Sequence, residues 1–271
     1  MLRVLSLGAG VQSTAMLLMA MRGVFGDVPD CAIFADTGWE PAAVYQHLKW
    51  LMLQDRIPIH IVSAGNIRAH TLASVQGGTQ FASLPAHVRN PSGDGAMLRR
   101  QCTREFKIAP LDKFVRRRLG VGHGERVPKG AAAERWIGIS LDEIGRMKLS
   151  TDKWATNRYP LVDAGLTRHD CELWLTRNGF PVPPKSACLG CPFHDNRYWR
   201  DMKNNRPSEW ADVVEFDGII RKGLKGVDCD AFLHRSLRPL PMVDLSTAAD
   251  KGQMAFDPYG FENECEGMCG V

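Results

Sequence analysis

The chain has 271 residues, of which 44% are hydrophobic and 24% are charged, proportions that are ordinary for a globular protein. No run approaches the roughly 18 uncharged apolar residues of a membrane-spanning helix, so we expect no membrane segment. The first residues reach Gly8 too early for the apolar core of a signal peptide, and we expect a cytoplasmic protein.

Strands and helices alternate through the first part of the chain. The predicted elements are a strand over 2–6, a helix over 13–23, a buried strand over 31–35, a helix over 41–54 and a strand over 57–62. Such an alternation predicts right-handed βαβ units and a parallel sheet that helices cover on both faces.

The pattern weakens after residue 64, and residues 83–96 are rich in Pro, Ser, Gly and Asn, which predicts a mobile loop over a site. The elements predicted beyond it are a helix over 104–119, a glycine-rich loop over 120–133, strands over 135–139 and 159–162, and a helix over 167–178 that Thr167 caps. We expect a core domain over 1–165 and a helical or irregular region over 166–271.

The turn between the first strand and the first helix is built from small and polar residues. Its candidate binding residues are Ser6, Gly8, Ala9, Gly10, Gln12 and Ser13. Small residues let backbone N–H groups approach a phosphate, and the helix N-terminus adds a partial positive charge. The turn lacks both the Walker A ending and the dinucleotide-binding glycine spacing. We predict phosphate binding here, with a plain tight turn as the alternative.

Two further polar segments follow buried elements. Asp36, Thr37 and Gly38 end the second strand, at the sheet edge where open α/β folds bind ligands. Asp36 could hold a ribose or a metal ion such as Mg²⁺, or it could cap a helix. Arg104 and Lys107 lie three residues apart at a helix start, where one face could meet a phosphate or sulfate.

Positive charge is concentrated in one stretch. Residues 99–135 contain eleven Lys and Arg against four acidic residues, a net charge of +7, whereas the whole chain carries +4. This concentration favours an anionic partner, either a nucleotide or a nucleic acid. The alternative is a solvated helix face.

Eight cysteines occur without a secretory signal, which favours reduced thiols over disulfides. Cys188 and Cys191 form a Cys-x-x-Cys pair, typical of half a zinc or iron–sulfur site, although such a pair could instead be redox-active. Cys265 and Cys269 lie in a glycine-containing tail and could supply a mobile nucleophile or a closing metal ligand. An incidental pair of thiols in a disordered tail is the alternative.

Taken in order, these segments resemble the phosphoadenylylsulfate (PAPS) reductase family, within the adenine-nucleotide α-hydrolases that include the N-type ATP pyrophosphatases (the PP-loop group). The matching segments are Ser6 to Ser13, Asp36-Thr37-Gly38 with Tyr45, Cys102 with Arg104, Lys107 and Pro110-Leu111, Gly138 to Arg146, Tyr159 to Asp163, and the Cys188–Cys191 pair. The resemblance implies a Rossmann-like α/β fold of the HUP type, with a five-stranded parallel sheet, helices on both faces and a small irregular cysteine-containing C-terminal region. It further implies that ATP or an adenylyl sulfonucleotide binds with its phosphates over the first loop.

Individual residues of these segments resemble different subgroups of these proteins. Gln12 is similar to the sulfonucleotide reductases, whereas Ser13 is similar to the pyrophosphatases. Gln101 replaces one cysteine of the pair found in the [4Fe–4S] reductases, which leaves Cys102, Cys188 and Cys191, with Cys265 or Cys269 as a fourth ligand or one iron left open.

Three functions follow from this resemblance. The first is activation of an acceptor at the α-phosphate of ATP, with sulfur delivered by a sulfur donor to a nucleic acid. The second is sulfonucleotide reduction with a thioredoxin-like reductant, in which Cys265 attacks sulfur while Arg104, Lys107 and Arg146 hold the nucleotide and sulfite is released. The third is a non-catalytic accessory protein, associated with phages or CRISPR systems, that binds nucleotide and nucleic acid.

Overall fold

The computed structural model describes residues 1–75, 81–89, 93–122, 124–127, 132–247 and 250–252. These residues divide into two compact units. Among the described residues, the first contains Met1–Ala64 and Thr103–Ala187, and the second contains Gly65–Cys102 and residues 188–252. The division runs differently from a boundary at residue 165, because the chain leaves the first unit and returns to it.

The described chain has eight strands, eight α-helices and three other helical turns. The strands are β1 Leu2–Leu7, β2 Cys31–Asp36, β3 Ile59–Ser63, β4 His87–Arg89, β5 Gly95–Met97, β6 Ala133–Ile137, β7 Ala155–Arg158 and β8 Ala231–Phe232. The α-helices are α1 Val11–Met21, α2 Ala42–Met52, α3 Ile67–Val75, α4 Ala109–Arg118, α5 Pro160–Asp163, α6 Arg168–Arg177, α7 Asn196–Asn205 and α8 Pro207–Ile220. A π-helical turn covers Thr103–Ile108, and 3₁₀ helices cover Leu141–Arg146 and Leu240–Met242. Among the described residues, no helix combines the length and apolar character needed to span a membrane.

The first unit is built on a five-stranded sheet in the order β3-β2-β1-β6-β7. Every pairing in it is parallel, which confirms the expected five-stranded parallel α/β sheet. The strand order changes direction at β1, with β2 on one side and β6 on the other. The loops that follow β1, β2 and β6 therefore lie at one edge of the sheet, at the switch point where such folds bind ligands.

Helices cover both faces of this sheet. On one face Leu5, Phe34 and Trp136 pack with residues of α1, α2 and α6, and on the other Val4 and Ile33 pack with α4. Alternate residues of β1 thus enter different cores, as the period-two geometry of a strand requires.

Two of the cysteines belong to these cores. Cys31 and Cys171 are fully buried. Burial raises the pKa of the Cys31 thiol to about 11 and that of the Cys171 thiol to about 12. Both behave as small hydrophobic residues, because the reactive thiolate is suppressed.

The predicted strand over 159–162 is wrong. The fifth strand is β7, Ala155–Arg158, and the residues that follow Tyr159 form the short helix α5. Pro160 in the first turn of α5 favours that helix start. Since β7 is an edge strand with polar Thr156 and Asn157, it lacks the apolar run by which buried strands are recognised.

The predicted helix over 167–178 is confirmed as α6. The Thr167 side chain accepts a hydrogen bond from the Asp170 N–H, and the Asp170 carboxylate accepts one from the Thr167 N–H at 2.9 Å. This reciprocal capping box satisfies two backbone donors at the helix start.

The second unit contains an antiparallel sheet in the order β5-β4-β8 and the helices α3, α7 and α8. The expected loop over 83–96 is partly wrong, since β4 and the start of β5 lie within it. The two strands pair with each other, and β4 pairs with β8 far along the chain. That long-range pairing stabilises a segment whose own composition favours a loop.

Candidate functional site

The loop after β1 makes a tight turn at the sheet edge. Ala9 has a left-handed backbone with φ of +58°, whereas Gly10 at the N-cap of α1 has an extended backbone with φ of −93°. The residue in the unusual conformation is therefore alanine and not one of the two glycines beside it. Left-handed non-glycine residues cost about 1–2 kcal/mol and are often found where a site requires the backbone shape.

Ser13 holds this loop against the start of α1. The Gly8 N–H donates to Ser13 Oγ at 3.1 Å, and the Ser13 hydroxyl donates to the Gly10 carbonyl at 3.3 Å. The buried Ser186 hydroxyl donates to the Gly8 carbonyl. The sequence analysis does not identify Ser186 as a residue of this site, because a single serine after a proline-rich segment gives no recognisable pattern.

The N-terminus of α1 is suited to an anion. Its N-cap makes no side-chain hydrogen bond, and its first turn contains no acidic residue. The first backbone N–H groups of a helix have no partner within it, and the helix dipole adds a partial positive charge there. The geometry supports the phosphate-binding role predicted for this loop.

Gln12 connects the loop to two other segments of the first unit. Its Nε2 donates to Glu143 at 3.3 Å and to Ser140 at 3.5 Å, and its Oε1 accepts from Arg168 Nη1 at 3.4 Å. Glu143 also forms an ion pair with Arg146. Arg146 is thereby linked to the first loop through one carboxylate and one amide.

Glu143 and Arg168 are site residues that sequence reasoning missed. The spacing of Glu143 three residues before Arg146 is a signal that could have found the ion pair. No local pattern marks Arg168, which contacts Gln12 across 156 positions of sequence. Arg168 thus contacts the buried Gln12 side chain directly, whereas Arg146 is connected to it through Glu143.

Gly138, just after β6, approaches α1 closely. A Cβ atom at this position would lie 3.1 Å from both the N and the Cα of Ser13, closer than ordinary packing allows. Only glycine lets the end of β6 pass the first turn of α1 at this distance.

Asp36 organises the turn after β2. Its Oδ1 accepts hydrogen bonds from the Gly38 N–H at 2.7 Å and from the Tyr45 hydroxyl at 2.8 Å. Burial, and to a smaller extent the bond to Asp36, raises the pKa of Tyr45 well above its ordinary value. Thr37 is buried and donates to Glu40 Oε1 at 2.9 Å. Asp36 therefore holds the turn in shape, and a ribose or metal role for it stays a prediction.

Arg104 and Lys107 do not share one exposed surface. Both lie in the π-helical turn before α4, where Arg104 is exposed and Lys107 is only 6% exposed. The expectation of two cations on one helix face assumed α-helical geometry, which the π-helical turn changes.

The cysteines of the Cys-x-x-Cys pair lie in one turn. The Cys191 N–H donates to the Cys188 carbonyl at 3.0 Å, and both side chains are buried. Cys102 belongs to the same unit and is half-buried. Within the described ranges, no group of three or more His, Cys, Asp or Glu side chains is arranged to hold a metal ion. Cys265 and Cys269 lie outside the described residues.

Comparison with known proteins finds similarity among solved structures. No family model matches the chain, and no curated protein matches it. Among solved structures it is similar to the crystal structure of phosphoadenylyl-sulfate (PAPS) reductase from Candida auris in a phosphate complex. That match has 14% sequence identity and a TM-score of 0.41, and it covers 67% of this chain and 74% of that one.

Proposed function

We propose that the protein is an enzyme of the PAPS reductase-like PP-loop type that activates an acceptor through the α-phosphate of ATP. The observation that carries the proposal is the uncapped start of α1 behind the tight turn at Ala9, at the switch point of a parallel sheet. Backbone N–H groups at such a helix start bind phosphates. The ordered motif resemblance supports adenosine as the remainder of the ligand.

The reaction we infer has three steps. An acceptor oxygen attacks the α-phosphorus, the bond from that phosphorus to the oxygen bridging to the β-phosphate breaks, and pyrophosphate leaves. The terminal sulfur of a persulfide donor then bonds to the acceptor carbon and displaces AMP, which carries away the acceptor oxygen. A thiol reductant then attacks the donor sulfur, so that the S–S bond breaks, the transferred sulfur stays on the acceptor, and the donor leaves as a disulfide with that thiol. We propose a nucleic acid as the acceptor because of the charge in residues 99–135.

The roles of individual side chains follow from their contacts. Ser13 and the N–H groups of the first turn of α1 bind phosphate oxygens. Gln12 and Arg146, which both contact Glu143, orient these phosphate oxygens. Fixed donors stabilise developing negative charge without reorganising during the reaction. Arg104 and Lys107 remain candidates for the leaving anion, by resemblance to the family.

No step in this proposal passes through a metal. Within the described residues, Cys102, Cys188 and Cys191 are not arranged to hold a metal ion, and Cys269 lies outside those residues. Cys265 has a proposed role only in the reductase alternative, as the nucleophile that attacks sulfur.

The test is a panel of ATP, adenylyl sulfate and PAPS, scored by calorimetry and by product analysis. We expect ATP binding, and release of pyrophosphate and AMP when unmodified transfer RNA and a polysulfide donor are added. Ser13→Ala should weaken ATP binding by about tenfold, corresponding to one to two lost hydrogen bonds. The matched control Ser208→Ala, at an exposed position of the second unit, should bind as the wild type does.

Two outcomes would contradict the proposal. Sulfite release from PAPS or adenylyl sulfate with thioredoxin, without pyrophosphate release from ATP, would assign the reductase function. Unchanged affinity for all three nucleotides in Ser13→Ala would remove the first loop from the site.

A further inference from the structure

The first unit contains a cavity of about 550 Å³ alongside α4. It is lined by α4, by the segment after that helix and by residues that precede β7, and Arg104 also contributes. Among the described residues, its lining includes none from the Ser6–Ser13 loop, the Asp36–Gly38 turn or the Leu141–Arg146 helix. It is therefore a second concave surface, which shares Arg104 with the residues proposed to hold the leaving anion.

Cationic side chains dominate this cavity. Its lining includes Arg104, Lys113, Arg116 and Arg117. Lys113, Arg116 and Arg117 are spaced at i, i+3 and i+4 on α4, so they share one face of the helix. Like charges at these spacings destabilise a helix unless an anion offsets them.

The acidic side chains of the lining are already paired. Asp112 and Asp152 each accept from Arg135 at 2.8 Å, and Arg135 is buried behind them. The one guanidinium of Arg135 offsets one of their two negative charges. The four lining cations outnumber the negative charge that remains, so the cavity keeps a net positive electrostatic field.

The helix dipole explains only part of this arrangement. It stabilises cations in the last turn of α4, where Arg116 and Arg117 lie. Arg104 lies before the first turn of α4, at the end of that helix where the dipole disfavours a cation.

One aromatic side chain completes the cavity. Trp154 lines it and is half-buried, and the Arg135 guanidinium lies 4.7 Å from its ring centroid. The ring is thus held in place by a cation–π contact and by packing against the core. Aromatic rings beside a cationic groove are typical of sites where unpaired bases stack.

We propose that this cavity binds a single strand of nucleic acid, with phosphates along Lys113 and Arg117 and a base stacked on Trp154. The inference deepens the proposed function, on which it rests, by naming the class of acceptor. An unpaired strand is favoured over a duplex because a base in a duplex cannot reach an aromatic side chain without unstacking.

The test measures fluorescence anisotropy of a fluorescein-labelled 20-nucleotide single strand and of the same sequence as a duplex. We expect the wild type to prefer the single strand. Lys113→Gln with Arg117→Gln should weaken binding at least tenfold and reduce the salt-dependence slope by about 1.4, at 0.7 per phosphate contact. Trp154→Leu, which keeps an apolar side chain in the core, should weaken it about fivefold or more.

The control removes the same charge elsewhere on the first unit. Lys49→Gln with Arg177→Gln alters exposed cations on α2 and α6, which cover the opposite face of the sheet from α4, and should change affinity less than twofold. Equal losses in the two double variants, or equal affinity for the duplex, would overturn the proposal.

Calorimetry with ATP on the same proteins separates this inference from the proposed function. The α4 variants should bind ATP as the wild type does. Strand binding without ATP binding in the wild type would contradict the proposed function alone, whereas ATP binding without strand binding would contradict only the inference about the cavity.

Discussion

Replacing Gly138 by alanine tests whether the close approach of β6 to α1 shapes the candidate phosphate site. The added Cβ would lie 3.1 Å from the N and the Cα of Ser13. Both are backbone atoms, so no flexible side chain can move aside. Either the end of β6 or the first turn of α1 must shift by a few tenths of an ångström.

Overpacking of this kind costs about 1–3 kcal/mol. If the native structure absorbs the strain in place, the free energy of unfolding falls by that amount and Tm falls by roughly 2–10 °C for a chain of this size. If the loop moves instead, the strain is relieved and ATP affinity falls, by up to about 100-fold at 1.4 kcal/mol per factor of ten. The same strain causes either the loss of stability or the loss of ATP affinity, so a large loss of one predicts a small loss of the other.

The matched control is Gly145→Ala, in the 3₁₀ helix that follows β6. An added Cβ there meets nothing within 4 Å, and Gly145 does not have a positive φ. Differential scanning calorimetry and titration with ATP would measure both variants. If Gly138→Ala matched Gly145→Ala in both Tm and ATP affinity, the close approach would have no energetic consequence and the argument would be refuted.

Two further predictions concern stability. Thr167→Ala removes the side-chain cap of α6 and should cost about 1 kcal/mol, or roughly 2–4 °C in Tm, whereas Thr176→Ala in the same helix should leave Tm unchanged or higher. Burial lowers the pKa of His47 to about 4, from 6.5 in the unfolded chain. The unfolded state therefore binds more protons between these values, and stability should fall as the pH drops from 6.5 towards 4. Denaturant unfolding of His47→Gln should show a weaker decline, and an identical decline would contradict the assignment. Burial also lowers the pKa of His234 to about 4 and lowers that of His87, so both contribute to the part that remains.

Local sequence patterns predict the framework of the first unit. The order from β1 to β3, the turn at Gly8 to Gly10 and the Thr167 cap depend on residues within a few positions of one another. Periodicity and capping chemistry report such short-range preferences directly. For the same reason β7 was misplaced, because an edge strand exposes polar residues and carries little apolar signal.

The packing of the strands and helices determines which distant residues complete the candidate site. The placement of β6 beside β1 brings Gln12 to Glu143, 131 positions away, and brings Gly138 against Ser13. Tertiary packing also buries Lys107 while leaving Arg104 exposed in the same π-helical turn. Arg135 on β6 pairs with both carboxylates of the α4 cavity. These outcomes depend on strand order and helix packing, which bring together side chains that no local pattern relates.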